Sequence, residues 1–186
     1  MRPAPDAELE NEVYENESFR GLDLSGLRTT RCTFRSCDFT LAQVNGSEHV
    51  GSDFANSTFE SANLFGSHFS ECRLVGASFA GATLTGLTVE GGDWSYALLR
   101  GQELTGLELR GVRLREADLS EADLTDADLR GADLKRARLH NATLAGADLR
   151  EANLDGVDLS AARIAQTRLD LAGAVQLARS LGAEVE

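Results

Sequence analysis

Cys32, Cys37 and Cys72, together with His49, His68 and His140, are the residues whose types could hold a metal, pass electrons or activate a nucleophile. Thiolate and imidazole are what a zinc or redox site would draw on. Gly76, Gly81 and Gly86 give a G-x4-G spacing like the start of a phosphate loop. Acids crowd positions 116–128, where Glu116, Asp118, Glu121, Asp123, Asp126 and Asp128 could meet a basic partner. Before any of these is read as chemistry, the elements that would carry them have to be found.

Those elements are units of five residues. With the large residue of each unit called i, the frame runs from Tyr14 through Phe19, Leu24 and Phe34 to Leu159, Ile164 and Leu169 without a slip. It has 32 such positions, of which only Thr29 and His49 are not large and apolar. Position i−2 is small, as in Ala117, Ala122, Ala127 and Ala132. A period of five fits neither a helix nor an alternating strand. Because i−2 and i share one side while i+1 and i+2 are polar, small or glycine, each unit reads as a short extended piece followed by a corner. Corners repeated in one sense close a coil, and stacked coils pair their backbones about 4.8 Å apart. The expected fold is an all-β solenoid.

The aromatics suggest the number of corners. Phe19, Phe39, Phe59 and Phe79 recur every twenty residues, as do Phe34 and Phe54. Four units per coil would stack each set as a ladder. The frame then makes about eight coils, a rod of roughly 38 Å. Its interior is filled by the i and i−2 side chains, and a change of shape is expected near Gly91, Gly92 and Trp94, where phenylalanine gives way to leucine.

The frame disposes of most of the local motifs. All three cysteines fall at i−2 and face inward as core filler. The glycines mark the repeat, and the Lys and Ser/Thr of a phosphate loop do not follow Gly81, where Ala82 and Thr83 stand. His68 and His140 point outward without a partner. His49 points inward one coil above Thr29, so a hydrogen-bonded polar pair, with local widening of the coil, is expected there. No nucleophile, base and orienter converge, so neither an enzyme nor a bound cofactor or metal is expected. Asp at i−1 belongs to the repeat, whereas acids at i+2 (Glu116, Glu121, Asp126, Glu151) are not demanded by it and are better candidates for contact.

A formal net charge of −12 argues against direct binding to nucleic acid or an anionic membrane and favours a basic partner surface. Sorting units onto four faces gives −1 for the face of Tyr14, −3 for that of Phe19, −3 for that of Leu24 and −2 for that of Thr29. The two −3 faces share an edge near Asp118, Glu121, Asp123 and Asp126. With no long apolar run and no basic start followed by one, a cytoplasmic protein is expected. Residues 1–11, with Pro3, Pro5 and several acids, read as a solvated tail, 12–171 as the solenoid, and 172–186 as a helix and tail. Asp170 caps this helix and Gly182 stops it. Its apolar stripe of Leu171, Ala174, Val175, Ala178 and Leu181 should in part cover the open end of the last coil.

The A-D-L-x-x pattern from Ala117 to Glu121, and its recurrences, resemble the pentapeptide repeat family. That resemblance implies a right-handed quadrilateral β-helix with four units per coil. The ESFRGLDLSGLRTTRCTFRSCDF opening at Glu17–Phe39, the RLREADL segment at Arg113–Leu119 and the ending DLAGAVQLARSLGAEV are similar to the Qnr-like fluoroquinolone-resistance members. This narrower likeness implies a rod-shaped homodimer joined at its C-terminal ends, with Leu171, Val175, Ala178 and Leu181 as contacts. It also implies DNA mimicry, with Glu116, Asp118, Glu121, Asp123 and Asp126 engaging the DNA-binding saddle of DNA gyrase, and antibiotic resistance as a consequence. Duplex DNA carries one charge per about 1.7 Å, so the rod would have roughly half its charge density. Qnr proteins have loops that interrupt the frame and this chain has none, so inhibition of gyrase by occupation of the DNA site fits better than drug protection in the Qnr manner. An interaction scaffold unrelated to topoisomerases, or self-immunity against a gyrase-targeting antibiotic, are the alternatives.

Overall fold

The computed structural model describes residues 3–186. Pairing repeats at intervals of twenty, from Glu8↔Arg28 to Asp148↔Arg168, so the chain winds through eight four-sided coils. Seven short strands are long enough to name: β1 (Glu8–Glu10), β2 (Val13–Glu15), β3 (Arg28–Thr30), β4 (Thr33–Arg35), β5 (Glu48–Val50), β6 (His68–Ser70) and β7 (Thr88–Glu90). They form parallel ladders in the order β1-β3-β5-β6-β7 and β2-β4, and isolated parallel bridges carry the rest. The single helix, α1, spans Leu171–Ser180.

Most corners are four-residue turns in which the N–H of the next i−2 donates to the C=O of i, as from Leu22 to Phe19 and from Ala122 to Leu119, whereas the Cys32 and Cys37 N–H groups donate to the hydroxyls of Ser52 and Ser57 instead. The residue at i+2 takes a positive φ, +65° at Gly21 and +61° at Glu121. Only such a residue reverses the extended piece without losing the turn bond. This explains why glycine is frequent at i+2.

The core follows the frame. Phe19, Phe39, Phe59 and Phe79 stack with centroids 4.8, 4.8 and 5.2 Å apart, matching the coil spacing. Cys32, Cys37 and Cys72 are buried and unpaired, and burial pushes the Cys72 thiol up to about 12, which keeps it un-ionised and unreactive. Thr29 Oγ1 meets His49 Nδ1 at 2.8 Å, and His49 Nε2 meets Ser47 Oγ at 2.9 Å. The polar pair is therefore extended into a network, and the ladder Thr29↔His49↔Phe69 runs through it without the widening expected.

Two other expectations need correction and one is sharpened. Coiling starts before residue 12, since Glu8–Glu10 already pairs with Arg28–Thr30. Ala7 and Leu9 carry the small-x-large pattern and pack on the core, so only part of 1–11 precedes the coil; Met1 and Arg2 lie outside the described residues. The change of shape reaches Gly91 as expected but lies on faces 3 and 4, from Gly81 to Gly91, and Trp94 N–H keeps its bond to the Arg113 carbonyl at 2.7 Å. Finally, α1 closes the last coil with its other side. Gln176 Nε2 donates to the Val157 carbonyl at 2.7 Å, Ser180 Oγ accepts from the Leu159 N–H at 3.2 Å, and Leu177 packs on the core. Asp170 caps α1 through Gly173 N–H at 2.9 Å and also accepts from Glu151 N–H at 2.7 Å. An open coil end is a row of N–H and C=O groups, so polar side chains close it better than apolar ones. Leu171 and Leu181 are left exposed.

Candidate interaction surface

The sides of the rod are numbered here by their first full units: face 1 from Tyr14, face 2 from Phe19, face 3 from Leu24 and face 4 from Thr29. What each can do depends on how its charges are used locally. Asp at i−1 accepts a hydrogen bond from the N–H two residues on, as Asp118 does from Ser120 at 3.1 Å and Asp123 from Thr125 at 2.9 Å. The hydroxyl and amide of Thr125 hold the Asp123 carboxyl below the usual range. This side-chain turn stiffens the approach to the corner, so Asp118 and Asp123 serve the fold as well as the surface.

Face 1 largely neutralises itself, and face 4 does so in part. Stacked columns alternate in sign, so that Asp53 lies 2.8 Å from Arg35 and 3.3 Å from Arg73, and Arg113 lies 3.9 Å from Asp93. On face 4, Arg130 reaches Asp128 at 2.8 Å and Asp148 at 3.8 Å. Exposed pairs of this kind add little stability, but they weaken the field of the faces that carry them.

Face 3 has a single basic residue, Arg163, and its acids Asp23, Glu103 and Asp123 have no ion-pair partner among the described residues. On face 2, Asp118 lies 3.5 Å from Arg138, while Asp38, Glu60 and Asp158 are unpaired. Net charge is thus most negative on faces 2 and 3, at −3 each, while Glu71, Glu108 and Glu151 on face 4 also lack an ion-pair partner among the described residues.

Glu116, Glu121 and Asp126 occupy three successive corners of one coil, between faces 1 and 2, 2 and 3, and 3 and 4. They form a collar where the sequence suggested an edge. Glu116 accepts from the Tyr96 hydroxyl at 3.1 Å, Glu121 pairs with Arg100 at 2.6 Å, and Asp126 has no partner among the described residues. All three hold positive φ, between +54° and +61°, a conformation that costs a side chain about 1–2 kcal/mol and costs glycine nothing. Apolar side chains share the acidic faces: Leu41 at a corner, Phe65 on face 3 and Leu98 on face 2 are each about half exposed. The frame shows these residues to be outward, but their significance appears only once the faces are assigned.

The model of the family described as pentapeptide repeats matches residues 62–93, 84–120, 95–131 and 132–170. The chain belongs to the pentapeptide repeat family. Within it, the chain is 41% identical over 90 residues to the pentapeptide repeat protein MfpA of Mycobacterium tuberculosis, a match covering 48% of this chain and 49% of that one. The match thus spans about half the length of that relative. Among solved structures, QnrB1, a plasmid-mediated fluoroquinolone resistance protein, superposes with a TM-score of 0.71 at 25% identity, covering 98% of this chain and 91% of its own. HetL of Nostoc, a pentapeptide repeat protein involved in heterocyst differentiation regulation, gives a TM-score of 0.53 at 26% identity, with 90% and 89% covered. The pentapeptide repeat fold therefore serves more than one role, and function has to be argued from the surface.

Proposed function

We propose that this chain is a DNA-mimicking protein that binds DNA gyrase at its DNA-binding saddle, inhibits it and confers resistance to fluoroquinolones. The observation that carries the reading is the asymmetry of charge, with face 1 close to neutral through its own ion pairs and faces 2 and 3 the most acidic, at −3 each, along a rod. An elongated, uncompensated acidic surface fits a basic groove shaped for duplex DNA. The likeness to MfpA and QnrB1 supports the choice of gyrase. Glu116, Asp118, Glu121, Asp123 and Asp126 are the proposed contacts, with Leu41 and Phe65 supplying apolar anchors that DNA lacks.

A supercoiling assay with purified gyrase, titrated with and without a fluoroquinolone, tests this. The variant Glu116→Gly/Glu121→Gly/Asp126→Gly removes three charges at corners where glycine is the preferred residue. It should fold with equal or greater stability, by up to about 1 kcal/mol per corner. Its inhibition of supercoiling should nevertheless weaken about tenfold or more, since each 1.4 kcal/mol of lost binding is tenfold. Equal potency of variant and parent would remove these corners from the contact.

The apolar stripe of α1, with Leu171 and Leu181 exposed and Val175 and Ala178 half-buried, is the proposed dimer contact. Because Gln176, Leu177 and Ser180 already close the coil, Leu171→Glu/Leu181→Glu should leave the fold intact and convert a dimer into the 19.9 kDa monomer. Light scattering after gel filtration measures this, and an unchanged mass would exclude the stripe.

A further inference from the structure

On two adjacent faces the backbone ladder is interrupted. Along most of the rod the i residue donates to the coil above, as Leu64 does to the Thr83 carbonyl at 2.9 Å, and the corner does likewise, as Gly66 does to Thr85 at 3.0 Å, with a smaller gap at Leu139 and Asp158 near the last coil. Between the turn through Leu84 and Val89 and the turn through Leu104 and Leu109, the amides of Gly81, Leu84, Gly86, Val89 and Gly91 make no such bond, nor do those of Glu103 and Glu108 reach down to the coil beneath them. Faces 1 and 2 stay closed at the same level, with Trp94 N–H on Arg113 at 2.7 Å and Phe79 N–H on Leu98 at 3.0 Å. The opening is therefore a wedge whose mouth is the corner of Gly86 and Gly106, lined also by Leu84, Leu87, Leu104 and Leu107.

The i−2 columns supply the cause. On faces 1 and 2 at this level they hold Gly92 under Val112 and Ala77 under Ala97. On face 4, Leu87 lies under Leu107, two leucines in successive slots; on face 3, Gln102 lies over Ala82 in a column that is otherwise alanine from position 42 to 162. A single leucine is accommodated, since Leu27 lies under Ser47 and Glu48 N–H still reaches the Leu27 carbonyl at 2.9 Å. Gln102 also acts as a strut. Ser67 Oγ reaches the Val44 carbonyl, 23 residues back, at 2.9 Å. Gln102 Nε2 makes the same contact to Phe79 at 2.8 Å through an arm two bonds longer.

We infer that the rod carries a built-in hinge at this level, propped open on faces 3 and 4 by Gln102 and the Leu87–Leu107 pair and closing about faces 1 and 2. In a solenoid held by nearest-neighbour contacts, the coil interface with the fewest bonds is where the two halves move relative to each other. Opening and closing there changes the line along which face 3 presents Asp23 on one side of the hinge and Glu103, Asp123 and Asp126 on the other.

Hydrogen exchange on the full chain, resolved by residue, tests the hinge. The amides of Leu84, Gly86, Val89 and Gly91 should exchange at least about tenfold faster than those of Leu64 and Gly66 one turn away. In Gln102→Ala/Leu107→Ala, which restores small i−2 residues, they should regain that protection. Wild-type protection equal to that of Leu64 and Gly66 would overturn the inference, as would a folded double variant that still exchanges rapidly. If the variant does not fold, the wild-type comparison alone decides.

Discussion

Replacing Gly92 by alanine should unfold or nearly unfold this protein, at a cost of about 4 kcal/mol or more in a urea titration, the range reserved for named defects. Gly92 sits at i−2, inside the coil, with φ +87°. A methyl group built there falls 2.3 Å from the Cys72 carbonyl oxygen and 3.0 Å from the Cys72 nitrogen. Both are backbone atoms of the coil beneath, held by the ladder through Asp93 N–H to Cys72 O at 2.9 Å, so nothing flexible can move aside. Gly101→Ala is the control. It has a similar backbone, φ +66°, with nothing within 4 Å of the added methyl, and should cost about 1–2 kcal/mol. Equal effects would mean that the positive φ, and not the clash, decides.

His49 should make the protein acid-labile well above the range in which carboxylates titrate. It is fully buried between Phe54 and Phe69, with ring centroids 5.0 and 4.7 Å away. Burial, with a smaller contribution from the charge of His68, pushes its pKa down from 6.5 to about 3. Above pH 6.5 it is neutral in both folded and unfolded chains and stability does not depend on it. Between pH 6.5 and 3 the unfolded chain binds a proton that the folded chain does not, so stability falls with falling pH by about 1.4 kcal/mol per unit, on the order of 2–3 kcal/mol by pH 4.5. His49→Phe, which continues the stack on Phe69 and leaves Thr29 its bond to Ser52 at 3.0 Å, should abolish that slope. Denaturant midpoints at pH 7.0, 5.5 and 4.5 measure it, and parallel slopes for parent and variant would show that His49 is protonated in the folded state.

The architecture was legible because five-residue periodicity leaves little choice: small at i−2, large at i and a turn between them admit a coil and exclude helix and plain strand. The twenty-residue recurrence of Phe19, Phe39, Phe59 and Phe79 disclosed the coil size because aromatic rings stack best at the strand spacing. Leu9 shows how a true unit is overlooked, since the flanking acids and prolines masked an Ala-x-Leu pattern in frame. That α1 covers the last coil was legible, but not which of its residues do so. Leu171 and Leu181 look like the buried side of an amphipathic helix, yet a coil end needs hydrogen-bond partners, which Gln176 and Ser180 provide.

For the surface, the sequence revealed which residues point outward and how charge divides among faces. It did not reveal which charges are spent. Asp118 and Asp123 are occupied by turn amides two residues on, and Asp53, Asp128 and Asp148 by arginines of the same or neighbouring coils, relations that emerge only when columns twenty residues apart are laid side by side. The interruption between Leu84 and Leu104 was written in the same columns, in Leu87, Leu107 and Gln102, but it is legible only when i−2 slots are compared vertically instead of along the chain.

Competition between this protein and a labelled DNA duplex for purified gyrase, followed by fluorescence anisotropy at two salt concentrations, tests the central claim most directly. If the acidic faces occupy the DNA site, added protein displaces the duplex completely. The apparent DNA affinity then falls in proportion to protein concentration, and raising the salt weakens both ligands. Simultaneous binding of protein and DNA, or no displacement at protein concentrations well above micromolar, would contradict DNA mimicry and leave the rod as a scaffold for a different basic partner.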